Sequence, residues 1–519
     1  MTAAELLQPQ PGRSPVAAQA APAFEFRHPN ALPGWASIVA LTAALRLVAA
    51  VVVPVLPEEA YHWLYARHLD LGYYDHPPMI AWMIALGRLA FGDGVLGIRL
   101  LPWLCSIGTG IAAATTARRL WGEAAASWTA LLLALQPATF LAAGFAFPDA
   151  PLLLFWSVSL GFVVRALKER RGEWWLAAGA ALGAALLSKY TAGFLAVSVL
   201  LYLAATPSAR FWLRTPWPYA GVAVAVLVFS PVLYWNATHE WASLRFQSVG
   251  RLEEGRAPRA ASALAYLFLQ TGSVVPLLFP AAAAAVVTAF RARSESSRLL
   301  LFLGLPLLAF FLCVGLTRST HAFWPLPAWI ALTLLTAEFL SRAGGRIASF
   351  YRRHWREMAA VSIVAVGIGM AHAVKPLPGL APIRSLYGWE EIAARARALR
   401  KELPADAFYL GVGRRYLTPA LLAYHLRAPG DVHSKNLLGE EGLQFAYWAD
   451  PAALQGRDAV VVVEADWSPR MTEFLERRFG RVEESGAPMV IEGSSLYKGV
   501  KEERYRFFVA HGYKPAGAP

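Results

Sequence analysis

Eleven apolar segments recur between positions 35 and 375, most of them near the roughly 20 residues that a helix needs to cross the hydrocarbon of a bilayer, with the fifth and sixth short. They lie at 35–56, 95–117, 124–143, 150–166, 174–188, 190–206, 218–235, 262–290, 299–316, 322–340 and 357–375. A chain inside lipid must satisfy its own backbone hydrogen bonds, so each segment is expected to be helical. Of 519 residues, 56% are hydrophobic and only 16% charged, well away from soluble usage. The expected fold class is mainly α, a polytopic transmembrane helical bundle of about eleven spans.

The net charge of +13 does not point to a nucleic-acid partner, because the basic residues sit in alternate loops. Those loops hold Arg118 and Arg119; Arg165, Lys168, Arg170 and Arg171; Arg210 and Arg214; Arg291, Arg293 and Arg298; and Arg342, Arg346, Arg352, Arg353 and Arg356. The positive-inside rule makes them cytoplasmic, together with residues 1–34, whose Ala, Pro and Gln bias reads as a disordered tail. Residues 35–375 form the membrane domain. Beyond residue 375 the pattern changes: 384–403 reads as an amphipathic helix, and Phe408–Val412 and Ala459–Val463 as buried strands. Residues 376–519 are therefore expected to form an extracytoplasmic α/β domain. Cys105 and Cys313 lie in apolar runs and support no disulfide framework.

The loops left on the outer side carry the unusual residues. Pro57 to Pro78 holds two adjacent carboxylates, Glu58 and Glu59, at the mouth of a membrane helix, then Tyr61, Tyr74, Asp75 and His76 before a stiff Pro77-Pro78 exit. Asp149 opens the fourth span, where a carboxylate can either cap the helix or serve a site. Lys189, followed by Tyr190, lies between two apolar helices and needs an anion, from the protein or from a phosphate. His76 beside Asp75 could be a cation, a base or a metal ligand. The loop after position 235 holds His239, Arg245, Arg251 and Arg256, arginines that could clamp phosphate oxygens or form a solvated mixed-charge loop. His321 and Trp324 suit the site and the interfacial belt equally. Arg46, mid-span, is expected to pair inside the bundle.

Several of these motifs, in order, resemble one family. Glu58-Glu59-Ala60-Tyr61, Gly72-Tyr73-Tyr74-Asp75-His76-Pro77-Pro78, Pro148-Asp149-Ala150-Pro151-Leu152, Ser188-Lys189-Tyr190 and Trp235-Asn236-Ala237-Thr238-His239-Glu240-Trp241 are similar to the motif set of bacterial GT-C glycosyltransferases of the family 39, protein-O-mannosyltransferase and aminoarabinose-transferase type. The resemblance implies transfer of a sugar from a polyprenyl phosphate to a hydroxyl acceptor of the cell envelope, at the outer face of the inner membrane, with inversion. Glu58 stands where the family's proposed base is usually Asp, with Glu59 or Asp149 orienting. Asp75-His76 stands where relatives carry an acidic residue and a phosphate-contacting Lys; Tyr61, Tyr74, Lys189, Tyr190, His239, Arg245, Arg251, Arg256 and His321 are the further binding candidates. No cofactor is required by this reading, although some relatives hold a divalent metal through positions equivalent to Asp75 and His239. A lipid-linked sugar transporter or an inactive assembly factor are the rival readings; the first calls for polar residues at mid-membrane, whereas the carboxylates here lie at the outer edge.

The charge sorting carries a topological prediction. A reporter fused after Thr206 is expected to read as cytoplasmic and one fused after Pro519 as external; both on one side would overturn the arrangement.

Overall fold

The computed structural model describes residues 32–250, 260–273, 278–317, 320–321, 323–377, 386–464, 471–492 and 502–516. The first ten helices are α1 (Trp35–Val52), α2 (Pro57–Arg67), α3 (Met79–Phe91), α4 (Val95–Trp121), α5 (Glu123–Leu135), α6 (Pro137–Gly144), α7 (Asp149–Glu169), α8 (Glu173–Ser188), α9 (Gly193–Ala205) and α10 (Trp217–Thr238). Among the described residues six helices are long and apolar enough to cross a membrane: α1, α4, α7, α10, Glu295–Leu316 and Trp355–Val374. Joining α5 to α6 across their 79° bend gives a seventh.

The expected eleven spans are thus not reproduced by helix length. Hydropathy registers apolar composition and passes over the breaks. Pro137 starts a new helix after Gln136, since proline lacks the N–H that would continue the first one. Lys189 is in extended conformation and ends α8 at 16 residues. The stretch expected as one span at 262–290 carries two helices, Ala260–Ser273 and Phe279–Ala292.

Beyond position 386 the chain folds as anticipated into helix and strand. Helix Trp389–Arg400 precedes β1 (Phe408–Val412); β2 (Val432–Ser434), β3 (Ala459–Glu464), β4 (Phe479–Glu484), β5 (Met489–Glu492) and β6 (Glu502–Tyr513) follow. The sheet order is β2-β1-β3-β6-β4, with β5 on β6; β1 pairs in parallel with β2 and β3, and β6 runs antiparallel to its neighbours. β1 and β3 are buried almost throughout, which is why they read as continuous apolar runs.

The short helix α2 joins the two parts. Tyr61, Trp63, Leu64 and Tyr65 share one apolar core with Ile80, Ile84 and Ile98 from the membrane side and with Ile392, Leu421, Tyr424, Val460 and Phe507 from the sheet side. The Gly72 turn presses against α10: a Cβ there would come within 2.9 Å of Trp235 Cγ, so only glycine fits.

What fixes α2 is an ion pair sealed from solvent. Glu59 and Arg99 both have fully buried side chains, and Arg99 Nε donates to Glu59 Oε1 at 2.8 Å. The same guanidinium donates to the carbonyls of Ala50 and Val53 at 2.8 and 2.6 Å, and to that of Pro54 at 2.8 Å, which are acceptors left open where α1 ends. Glu59 in turn accepts from the Leu56 N–H at 3.0 Å, as a third-position carboxylate does in a capping box, and from the Ala146 N–H at 2.8 Å. Mid-span Arg46 finds the Thr139 carbonyl at 3.3 Å and the Phe140 ring.

Removing one partner of such a pair leaves the other charge buried, at a cost of about 3–5 kcal/mol. Glu59→Gln is therefore expected to lower the thermal unfolding midpoint in detergent sharply, while Glu58→Gln leaves it unchanged or raised. Equal midpoints for the two variants would refute the structural role of Glu59.

Candidate active site

A cavity of about 360 Å³ opens beside α2. Glu58, Asp75, His76, Asp149, Lys189, Tyr190 and His321 all line it, so seven residues drawn from loops far apart in sequence do converge. Its remaining wall is largely aromatic, with Phe194, Phe310, Phe311 and Trp324, and the sheet domain contributes Arg415, Tyr416 and Leu443.

Each polar group is held by its element. Glu58 and Glu59 are consecutive on α2, and about 100° of helical rotation sends the first to the cavity and the second to Arg99. Glu59 is thus absent from the cavity wall, where the expectation had set it beside Glu58, and holds Arg99 instead. Asp149 begins α7 without capping it through its side chain; instead, Lys189 Nζ reaches both of its carboxylate oxygens at 2.9 Å. The ammonium therefore has a protein counter-ion 40 residues away, which local sequence could not reveal. Asp75 is buried and accepts from Tyr61 Oη at 3.3 Å and, at short range, from Tyr65 Oη. The Asp75 carbonyl accepts from Gln247 Nε2 at 2.7 Å, and Tyr190 Oη lies 2.7 Å from Ser243 Oγ, so the loop after α10 closes one side.

Burial pushes the Glu58 carboxyl up to about 7, with the Asp149 charge adding to the rise and Lys189 opposing it. Half of such a group is ionised near neutral pH, the condition under which a carboxylate can accept a proton and later return it. On the next turn His62 is held down to about 4 by burial, so its imidazole is neutral.

Other expected residues fall elsewhere. Tyr61 is fully buried, stacked on Tyr416 with ring centroids 4.1 Å apart and planes within 2°; it supports the site from behind. Tyr74, His239 and Arg245 line a neighbouring open groove with Tyr447. His239 stacks on Trp235 at 4.1 Å, and its Nδ1 lies 2.8 Å from the Trp235 carbonyl. Asp75 and His239 thus line different cavities, so the two positions through which some relatives hold a metal are not brought together here. Arg251 and Arg256 lie outside the described residues.

Sequence reasoning missed His62, Arg99, Arg415, Tyr416, Gln247 and Gln444. A signal existed for two: His62 follows Glu58 at helical spacing, and Arg99 is a lone cation in an apolar helix. Gln444, whose backbone N–H donates to Tyr61 Oη at 3.1 Å and whose side chain accepts from the Tyr74 N–H at 2.7 Å, gave none.

Residues 75–235 match the family model described as dolichyl-phosphate-mannose-protein mannosyltransferase. The lipid A galacturonosyltransferase RgtD of Rhizobium johnstonii is 30% identical over 286 residues, which is 54% of this chain and 60% of that protein. The undecaprenyl phosphate-alpha-4-amino-4-deoxy-L-arabinose arabinosyl transferase 1 of Pseudomonas fluorescens is 32% identical over 298 residues, 54% of this chain and 52% of that one. The chain thus spans between half and two thirds of the length of these curated relatives. The structure of ArnT from Cupriavidus metallidurans bound to undecaprenyl phosphate superposes with a TM-score of 0.65 at 19% identity, covering 91% of this chain and 97% of that one. Helical bundle, appended sheet and ordered motifs agree: the chain is a multi-pass membrane protein with the GT-C glycosyltransferase fold, resembling the protein-O-mannosyltransferase and aminoarabinose-transferase type.

Proposed function

We propose that this protein moves a sugar from a polyprenyl-phosphate donor to a hydroxyl acceptor of the cell envelope, at the periplasmic face of a bacterial inner membrane. The observation that carries the reading is the cavity in which Glu58, partly ionised near neutral pH, faces the Lys189–Asp149 pair and His76 beside an aromatic wall. Support also comes from the relatives, whose names describe transfer to lipid A or from undecaprenyl phosphate.

The phosphate is a competent leaving group, so the protein has three tasks: to hold it, to exclude water, and to take one proton. Lys189 has three N–H donors, and the Asp149 oxygens leave the ammonium able to meet a phosphate oxygen as well. Arg415 enters the same cavity from the sheet domain. Glu58 takes the proton of the acceptor hydroxyl as its oxygen attacks the anomeric carbon, and the phosphate departs from the opposite face with the bonding electrons. Attack from the face opposite the leaving group inverts the anomeric centre. The aromatic wall of Phe194, Phe310 and Phe311 suits the lipid chain.

Glu58→Gln is expected to abolish transfer in liposomes supplied with donor and acceptor while leaving donor binding intact, and Glu58→Asp to keep substantial activity. Because the carboxyl titrates near 7 and acts as its anion, the rate is expected to climb as pH rises through about 7 and to fall below it. A Gln variant with full rate, or a flat profile there, would move the base elsewhere.

Losing one partner of a desolvated, hydrogen-bonded charge pair costs about 2 kcal/mol or more. Lys189→Ala should accordingly weaken binding of the polyprenyl phosphate by roughly 30-fold. Unchanged affinity in folded protein would make Lys189 a counter-ion for Asp149 alone.

A further inference from the structure

Glu58 and His62 stand four residues apart on α2 and share a face of that helix. His76 approaches from the following loop, and one ligand atom from each of the three lies within 4.8 Å of the others. The rings of His62 and His76 meet edge to face with centroids 5.5 Å apart.

The decisive group is His62. Its side chain has no exposure, and its Nδ1 lies 3.0 Å from the Ala146 carbonyl, so in the neutral ring Nδ1–H is the donor and Nε2 carries the lone pair. That Nε2 is buried and has no hydrogen-bond partner among the described residues. A polar atom left in this state is costly, and a ligand on it removes the cost. The arrangement is also the one that metal-binding histidines adopt: the outer nitrogen donates to a backbone carbonyl, which fixes the ring and leaves the other nitrogen for the ion.

We propose that Glu58, His62 and His76 bind a divalent cation of the zinc class, with a fourth position open to the cavity. Two imidazoles and one carboxylate suit zinc better than magnesium or calcium, which prefer all-oxygen shells. Ligand atoms around tetrahedral zinc sit about 3.4 Å apart, given bond lengths of roughly 2.1 Å, so small side-chain rotations close the triangle. Of the cations nearby, Lys189 is held by both oxygens of Asp149 and Arg99 by Glu59, while Arg415 lines the same cavity and sets a positive charge against the ion. Asp75, lining the same cavity, adds a negative charge in favour. A carboxylate has two oxygens, one for the ion and one for an acceptor hydroxyl; because a bound cation would lower the Glu58 carboxyl, the pH profile above is read on chelator-stripped protein and ion binding is tested apart from transfer.

Cobalt(II) is the probe, since its visible absorption reports tetrahedral coordination without any assay of transfer. Full-length protein in detergent, stripped with chelator, is expected to take up about one equivalent of Co²⁺ with a tetrahedral band that Zn²⁺ abolishes. His76→Gln and His62→Gln should each weaken Co²⁺ binding at least about tenfold, whereas His239→Gln leaves it unchanged. Added Zn²⁺ should raise the thermal midpoint of the unmutated protein and not that of His76→Gln. His76 is only partly buried, so that variant decides the matter even if His62→Gln does not fold. The proposal is overturned by folded protein that shows no saturable band, by His76→Gln binding as tightly as the parent, or by a requirement for His239.

Discussion

The structure depends on the buried contact between Glu59 and Arg99. An apolar pair of similar size could fill the same space, and buried ion pairs often contribute little net stability. This pair does something that apolar side chains cannot: its hydrogen bonds reach the carbonyls of Ala50, Val53 and Pro54 and the N–H groups of Leu56 and Ala146. Five backbone groups, from the end of α1, the start of α2 and the loop before α7, are satisfied by two side chains. Without them these chain ends would be buried with open hydrogen-bonding groups, a heavy penalty at a membrane edge.

One consequence reaches the site directly. Ala146 donates its N–H to Glu59 and accepts at its carbonyl from His62, so α2 grips the loop before α7 by both faces of one residue. Asp149 opens the helix that follows, and Lys189 is drawn to Asp149. The placement of Glu58 near Asp149 and Lys189 therefore follows from a chain of contacts that begins at Arg99. Two neighbouring glutamates divide the work: one holds the frame, and the other is turned to the cavity by the pitch of the helix.

Much of this was legible in the sequence. The convergence of Glu58, Asp75, His76, Asp149, Lys189, Tyr190 and His321 followed from loop charge and alternation, because a bilayer leaves loops only two sides on which to meet. The helix near 389 and the strands at 408 and 459 followed from periodicity and β-branched runs. Pairings between distant residues were not legible: nothing near Lys189 names Asp149, and nothing near Glu59 names Arg99. Helix breaks were illegible for a related reason, since hydropathy is blind to a single proline or an extended lysine that ends a helix. The place of His239 was not legible either, because Trp235, one turn earlier, captures the ring in a stack facing a different groove.

The sheet domain belongs to the site as much as the membrane helices do. Tyr416 stacks on Tyr61, Phe445 lies 5.9 Å from the same ring, and Gln444 bonds to both Tyr61 and the Tyr74 backbone. Tyr61 in turn holds Asp75. Stacked aromatics of this kind contribute about 0.5–1.5 kcal/mol beyond the area they bury, and here they close the cavity on the side of the sheet domain. Lifting the sheet domain would uncover Tyr61 and loosen Asp75, and it would also withdraw Arg415 and Leu443 from the wall. The domain that hydropathy marks as separate is therefore a structural part of the polar site, because the helix carrying Glu58 has its other faces buried in the core that the domain shares with the membrane helices.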